Sequence, residues 1–363
     1  MDEFATTQTM QNTSVNPTDQ ELQNILTAKK ARIKVIGVGG AGNNTMNRLS
    51  EIGIIGAEII AVNTDAQDLL STQADRKVLI GRELTGGLGA GSDPKIGGEA
   101  AKESENEIKD CLRDSHMIFI TCGLGGGTGT GAAPIIAEVA QKLGILTVGI
   151  VTLPFTMEGQ KRFENAMIGL EKLEGHVDTL IVIPNDKLVE LAPDLPLHTA
   201  FKVADEILTN AVRGIAELIT KPGLINLDFA DIRTVMTGGG IAMIGVGESD
   251  TENRAVEAVE KAIRNPLLDV DVAGANGALI NVSGGPSMTL EEAKRVVEAV
   301  STKLDDKANI IWGAQLTPDL QNTVRAMLVI TGVKSPQIFG PARTMSDKRR
   351  GELSENLGIE FVD

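Results

Sequence analysis

Glycines and hydroxyls, with no nucleophile among them, make up the run Gly123-Leu-Gly-Gly-Gly-Thr-Gly-Thr-Gly131. Such a run suits the holding of an anion. Glycine lets the backbone come close and adopt positive φ, threonine adds O–H donors, and a following helix offers its free N–H groups. Residues 117–122 before it form an apolar strand pattern, and residues 134–140 after it are helical in period. A flexible linker is seldom bracketed so tightly by a strand and a helix.

Two further glycine loops accompany it. Gly37-Val-Gly-Gly-Ala-Gly42-Asn-Asn contains a formal GxGxxG at Gly37, Gly39 and Gly42, and Gly86-Gly-Leu-Gly-Ala-Gly91 follows later. Alone, the first permits an NAD-dependent oxidoreductase with Glu58 or Asp65 on a ribose. One pyrophosphate does not need three glycine loops, whereas a nucleoside triphosphate clamped from several strand ends would use them. GxxxxGK[ST] does not occur, so the phosphates would rest on N–H groups and hydroxyls rather than on a loop lysine.

Polar residues at strand ends could complete such a site. Asn63-Thr-Asp65 is placed to meet a sugar, a phosphate or Mg²⁺, or to form a plain Asx turn. Glu158 and Arg162, four apart at a helix start, are either a surface ion pair or ligand contacts. In Asn226-Leu-Asp228-Phe-Ala-Asp231 the two carboxylates suit helix caps on spacing alone; as a group with Asn226 they could also orient Mg²⁺ or an attacking water.

The elements that must position these residues alternate. Strand patterns at 33–37, 59–63, 117–121, 146–151 and 179–183 are separated by helical ones, which implies a parallel sheet covered by helices, with ligands beyond the carboxyl ends of its strands. Residues 201–221 carry apolar side chains at helical spacing and stop at Pro222-Gly223. They form one long buried helix of roughly 30 Å, able to join two halves rigidly. Strand patterns at 241–247, 277–282, 309–312 and 325–331, with helices at 251–264 and 290–303, make a second α/β domain. Residues 1–30 read as a mobile extension, and residues after 335 as a polar tail.

Composition narrows the function further. A chain of 363 residues with 42% apolar content can bury real cores, and its formal net charge of −15 excludes a basic nucleic-acid face. No segment approaches a membrane span or a signal peptide, which points to a cytoplasmic protein. Cys111 and Cys122 lack CxxC spacing and read as reduced and buried. His116, His176 and His198 are too scattered for a protein-built metal site.

Taken together, Gly39-Gly-Ala-Gly42-Asn-Asn, Asn63-Thr-Asp65-Ala-Gln67, Gly125 to Gly131, Met157-Glu-Gly159 with Arg162, and Asn226 to Asp231 resemble the FtsZ family of prokaryotic tubulin-like division GTPases, from about residue 31 to 335. The resemblance implies a GTP-binding domain at 31–200, a central helix at 201–223, a C-terminal α/β domain with an activating acidic loop at 224–335, and a tail at 336–363. It implies GTP and GDP as ligands, with Mg²⁺ held mainly through the phosphates and water. Gly39, Gly40, Ala41, Gly42, Asn43, Asn63, Asp65, Gly89, Ala90, Gly91, Gly125, Gly126, Gly127, Thr128, Gly129, Thr130 and Pro154 would surround the phosphates and sugar. Glu158 and Arg162 would meet ribose and base edge, and Asn185, Phe201 and Asp205 the guanine. Asp228 and Asp231, assisted by Asn226, would act on the GTP of the next subunit in a head-to-tail filament. A polymer that binds nucleotide without hydrolysing it is the remaining alternative. The short tail is similar to the archaeal branch and implies a SepF-like membrane anchor, with the protein at a mid-cell ring.

Overall fold

The computed structural model describes residues 31–187 and 196–333, except 222, 226, 266, 268–274 and 305–307. The N-terminal extension, the tail and Asn226 lie outside the described residues.

Six strand–helix units open the chain. β1 (Ile33–Val38) leads to α1 (Gly39–Ile52), and β2 (Ala57–Asn63) to α2 (Ala66–Ser71). β3 (Arg76–Leu79) leads to α3 (Arg82–Thr85), α4 (Pro94–Glu103) and α5 (Glu105–Leu112). β4 (Met117–Gly123) leads to α6 (Thr128–Lys142), β5 (Leu146–Leu153) to α7 (Gln160–Glu174), and β6 (Thr179–Pro184) to α8 (Leu197–Thr220). After α9 (Phe229–Met236) come β7 (Gly240–Ser249), α10 (Arg254–Ile263), β8 (Gly277–Gly284), α11 (Leu290–Ser301), β9 (Asn309–Leu316) and β10 (Val324–Thr331).

The strands lie in one sheet in the order β3-β2-β1-β4-β5-β6-β7-β10-β8-β9. β1 to β6 are parallel throughout. Strands buried on both faces are mainly apolar, as β4 and β5 are, because helices cover a parallel sheet on both sides. β7 continues the sheet by a short parallel pairing, Thr179 to Ile181 against Gly240 to Ala242. Beyond it β10 runs antiparallel between β7 and β8, and β9 is parallel to β8. The two halves therefore share one sheet. Phe119, Ile36, Ile60, Ile120 and Met117 are among the largest fully buried side chains at its centre.

One local difference from the sequence reading matters to the site. The glycine runs are not loops along their whole length. α1 begins at Gly39 and α6 at Thr128, so the glycine-rich residues themselves form the first helical turns. Close packing explains the extension: a Cβ on Gly131 would stand 2.0 Å from the Pro94 carbonyl oxygen, so glycine is what lets α6 lie against α4. Both cysteines are free and buried, and burial pushes the Cys122 thiol up to about 12, which makes it inert.

Candidate active site

α1 starts directly from the end of β1, and α6, after four intervening residues, from the end of β4, its neighbour in the sheet, so their N-termini open toward one space. Neither end is closed by its own side chain: the N-caps Val38 and Gly127 make no side-chain cap bond, and neither first turn holds an acidic residue. Each helix thus keeps its free N–H groups and positive dipole end for an external anion. Gly39, at φ 72°, brings the two starts into contact, since a Cβ there would sit 2.9 Å from the amide nitrogen of Gly129. A Cβ on Gly40 would meet nothing within 4 Å.

The space is a cavity of about 260 Å³. Of the residues chosen from sequence, Gly39, Gly40, Ala41, Gly126, Gly127, Thr128, Gly129, Pro154, Glu158, Arg162, Asn185, Phe201 and Asp205 line it. The others stand behind or beside it. Gly42 is wedged against β1 and β4, where a Cβ would lie 2.7 Å from the Thr121 carbonyl oxygen. The amides of Asn43 and Asn63 both donate to Asp68 Oδ2, at 2.8 and 2.6 Å. Asp65 turns onto its own backbone and caps α2 by accepting from Gln67 N and Asp68 N, the Asx turn that its spacing allowed. Gly125, at φ 107°, donates its N–H to the buried Thr130 Oγ1 at 2.8 Å. Ala90 is buried against Gly127, Gly89 packs beside Asp65, and Gly91 lines a neighbouring groove.

Sequence reasoning passed over Thr64 and Asp68. Thr64 is fully buried with its hydroxyl 2.6 Å from that of Thr128. Thr152 and Ala204 also line the cavity unannounced. Thr64 could have been found from its place between two chosen residues. Asp68 carried no signal beyond ordinary helix polarity.

At the far side of the cavity, Arg162 pairs with Glu158 at 3.0 Å, while Glu158 Oε1 also accepts from Phe155 N at 2.9 Å. Phe155 meets Phe201 edge-on with ring centroids 5.1 Å apart, leaving an aromatic surface beside the pocket. Asn185 is buried with its Oδ1 lacking a donor, an acceptor that a base edge would satisfy. Burial pushes the Asp205 carboxyl up to about 6, against the opposing pull of Arg48. The arrangement has one end of backbone amides and hydroxyls, suited to an anion, and another of an aromatic face, an amide and a carboxylate, suited to a polar ring.

The acidic residues are elsewhere. Asp228 occupies the N-cap position of α9 yet makes no side-chain cap bond, and both Asp228 and Asp231 are exposed. Phe229 between them packs on His116, centroids 6.2 Å apart, and His116 immediately precedes β4. The phosphate loop leaves the other end of that same strand, about 20 Å away for seven residues. α8 spans the gap: Phe201 and Asp205 near its start line the cavity, while Thr220 at its end bonds the Ile55 carbonyl ahead of β2. With 24 residues it measures about 36 Å and delivers the chain to the opposite side of the sheet.

Among the described residues no group of three or more His, Cys, Asp or Glu side chains is placed to hold a divalent ion. Of the carboxylates around the cavity, Glu158 pairs with Arg162, and Asp65 and Asp68, behind it, accept bonds from the protein.

Family models and solved structures match this architecture. The Tubulin/FtsZ family GTPase domain matches residues 32–193, and the FtsZ family C-terminal domain residues 240–334. The chain belongs to the FtsZ family. Cell division protein FtsZ 1 of Pyrococcus furiosus is 64% identical over 340 residues, 93% of this chain and 91% of the relative. That of Methanocaldococcus jannaschii is 62% identical over 321 residues, 88% of each. An M. jannaschii FtsZ dimer, described as empty, superposes with a TM-score of 0.84 at 62% identity, covering 87% of this chain and 92% of that one. CetZ1 from Haloferax volcanii, a GDP-bound monomer, matches with a TM-score of 0.73 at 25% identity over 85% of this chain and 96% of that one. As an FtsZ the protein is a tubulin-type GTPase of cell division, and the dinucleotide oxidoreductase reading of Gly37, Gly39 and Gly42 is not supported. Its ribose carboxylates are also out of position: Glu58 is the second residue of β2, paired with Lys34 at 3.3 Å, and Asp65 is committed to its cap.

Proposed function

We propose that GTP binds in the 260 Å³ cavity of one subunit and is hydrolysed with the help of Asp228 and Asp231 from the next, so that turnover requires head-to-tail assembly. The observation that carries this reading is the length of sheet between cradle and acidic loop. Carboxylates at the amino end of β4 cannot reach a phosphate beyond its carboxyl end, but a neighbour stacked along the strand direction brings the two together. Such a contact is heterologous and does not close, so its repetition gives a filament.

In this reading the N–H groups of α1 and α6 and the Thr128 hydroxyl hold the phosphates, and Asp205 accepts the paired N1 and N2 protons of guanine, which adenine lacks. The GDP of the CetZ1 structure supports the base. The uncapped Asp228 and exposed Asp231 are free to orient water against the γ-phosphate, with Asn226, outside the described residues, assisting. Mg²⁺, carried on the phosphates, would supply neutralisation of developing charge. The filament would form the mid-cell ring, with a SepF-like anchor on the tail at 336–363.

Phosphate release measured against protein concentration tests the reading. Turnover per subunit is expected to stay near zero up to a threshold and then rise together with light scattering. Asp231→Ala is expected to keep GTP affinity while turnover above that threshold falls by about a hundredfold or more. Turnover per subunit independent of concentration would overturn the shared site.

A further inference from the structure

The two phosphate-binding helix starts are joined behind the cavity by one continuous chain of side-chain bonds. Asn43, the fifth residue of α1, donates from Nδ2 to Asp68 Oδ2 at 2.8 Å; Asn63, at the end of β2, donates to the same oxygen at 2.6 Å. Asn63 in turn fixes the next residue, its Oδ1 accepting from Thr64 N at 2.8 Å. The Thr64 hydroxyl then lies 2.6 Å from that of Thr128, the first residue of α6. Asn43, Asn63 and Thr64 are all buried, which strengthens each bond and makes each unmet group costly.

We propose that Asp68 is a positioning residue for nucleotide binding: by gathering both amides on one carboxylate oxygen, it sets the spacing and orientation of the two anion-binding loops. Its carboxylate touches no part of the cavity lining and acts through Asn43 at one end and through Asn63 and Thr64 at the other. The grip is strong enough to hold the Asn43 amide one way round although its buried Oδ1 is then left without a donor. Two amides donating to a carboxylate are charge-assisted bonds, stronger than neutral ones.

The far end of the chain orients a hydroxyl. Two hydroxyls 2.6 Å apart share one hydrogen between them. Thr128 lines the cavity and Thr64 does not, so with Thr64 as the donor the Thr128 O–H is left free to point at a phosphate oxygen. Asp68 holds that arrangement by keeping Asn63, and with it the Thr64 backbone, in place.

The inference rests on the nucleotide reading of the cavity, and its test separates the two. GTP affinity is measured on the full chain below the assembly threshold, and turnover at saturating GTP above it. Asp68→Ala is expected to weaken GTP binding about tenfold while saturated turnover stays within about twofold, a KM effect without a kcat effect. Asp68→Asn is expected to rescue, because one amide oxygen in the same place can still take both donors. Thr64→Val, which keeps shape and removes the donor, should resemble Asp68→Ala, whereas Thr64→Ser should resemble the parent. GTP binding by Asp68→Ala equal to that of the parent would overturn the proposal, as would an Asp68→Asn protein as weak as Asp68→Ala. If Asp68→Ala does not fold, the Thr64 pair decides: Thr64→Val binding like Thr64→Ser overturns it. A parent protein that binds no GTP would instead sink the reading of the cavity.

Discussion

At the scale of single residues, Asp205 sets a pH limit on the proposed guanine contact. To accept two N–H groups it must be ionised, yet burial lifts its carboxyl to about 6. Guanine binds only the charged form, so affinity is flat above that value and falls as pH drops through it, by about tenfold per unit. Isothermal titration of GTP between pH 5 and pH 8 is expected to show the break, and Asp205→Asn, which cannot titrate, a flat profile at weaker affinity. A parent profile flat to pH 5 would remove Asp205 from the base contact. The residues legible in the sequence itself were those whose type is unusual for its place, such as the glycine runs between strand and helix patterns, whereas Asp205 came only from the family resemblance. Asp68 and Thr64 were not legible, because an acid in a first helical turn and a threonine beside an Asx turn have ordinary uses. Only their convergence in space sets them apart.

At the scale of elements, the strands at 33–37, 59–63, 117–121, 146–151 and 179–183 and the long helix at 201–221 were legible because each is mainly apolar or periodic. β3 was not: Arg76-Lys-Val-Leu79 has four residues, two of them exposed cations, and becomes a strand only because β2 offers it an edge. The brace across the C-terminal half was equally silent. Arg254, at the start of α10, binds Glu292 of α11 at 2.6 and 3.1 Å and also reaches the Ser287 hydroxyl at 3.0 Å. The Arg254 guanidinium, together with bonds from Thr289, holds the Glu292 carboxyl down at about 2. A lowered carboxyl stabilises the fold above its ordinary range near 4.5 and loses that contribution as pH falls toward 2. Arg254→Met is therefore expected to cost about 2 kcal/mol in urea unfolding at pH 7, a figure reduced for partial exposure, with the difference from the parent shrinking at pH 3. An equal loss at both values would show that packing, not the ion pair, is what Arg254 contributes.

At the scale of the whole molecule, distance does what local chemistry cannot. Sequence spacing separates Gly131 from Asp228 by about a hundred residues and says nothing of which ends of the strands they occupy. The structure answers with lengths: seven residues of β4 between His116 and the glycine loop, and 24 residues of α8 running from the cavity toward the acidic loop. α8 is thus a ruler that keeps the two half-sites a fixed distance apart within one subunit, which makes a shared site testable by complementation. Gly40→Asp puts a negative charge into the phosphate space, where a Cβ meets nothing, so it should abolish GTP binding without disturbing the fold. Asp231→Ala should bind GTP and fail to hydrolyse it. Each alone is expected to be inactive. Mixed one to one, the intact cradle of the second variant can face the intact acidic loop of the first, and phosphate release should reappear at a fraction of the parental rate. If each cradle were served by its own chain's loop, the mixture would be as silent as its components.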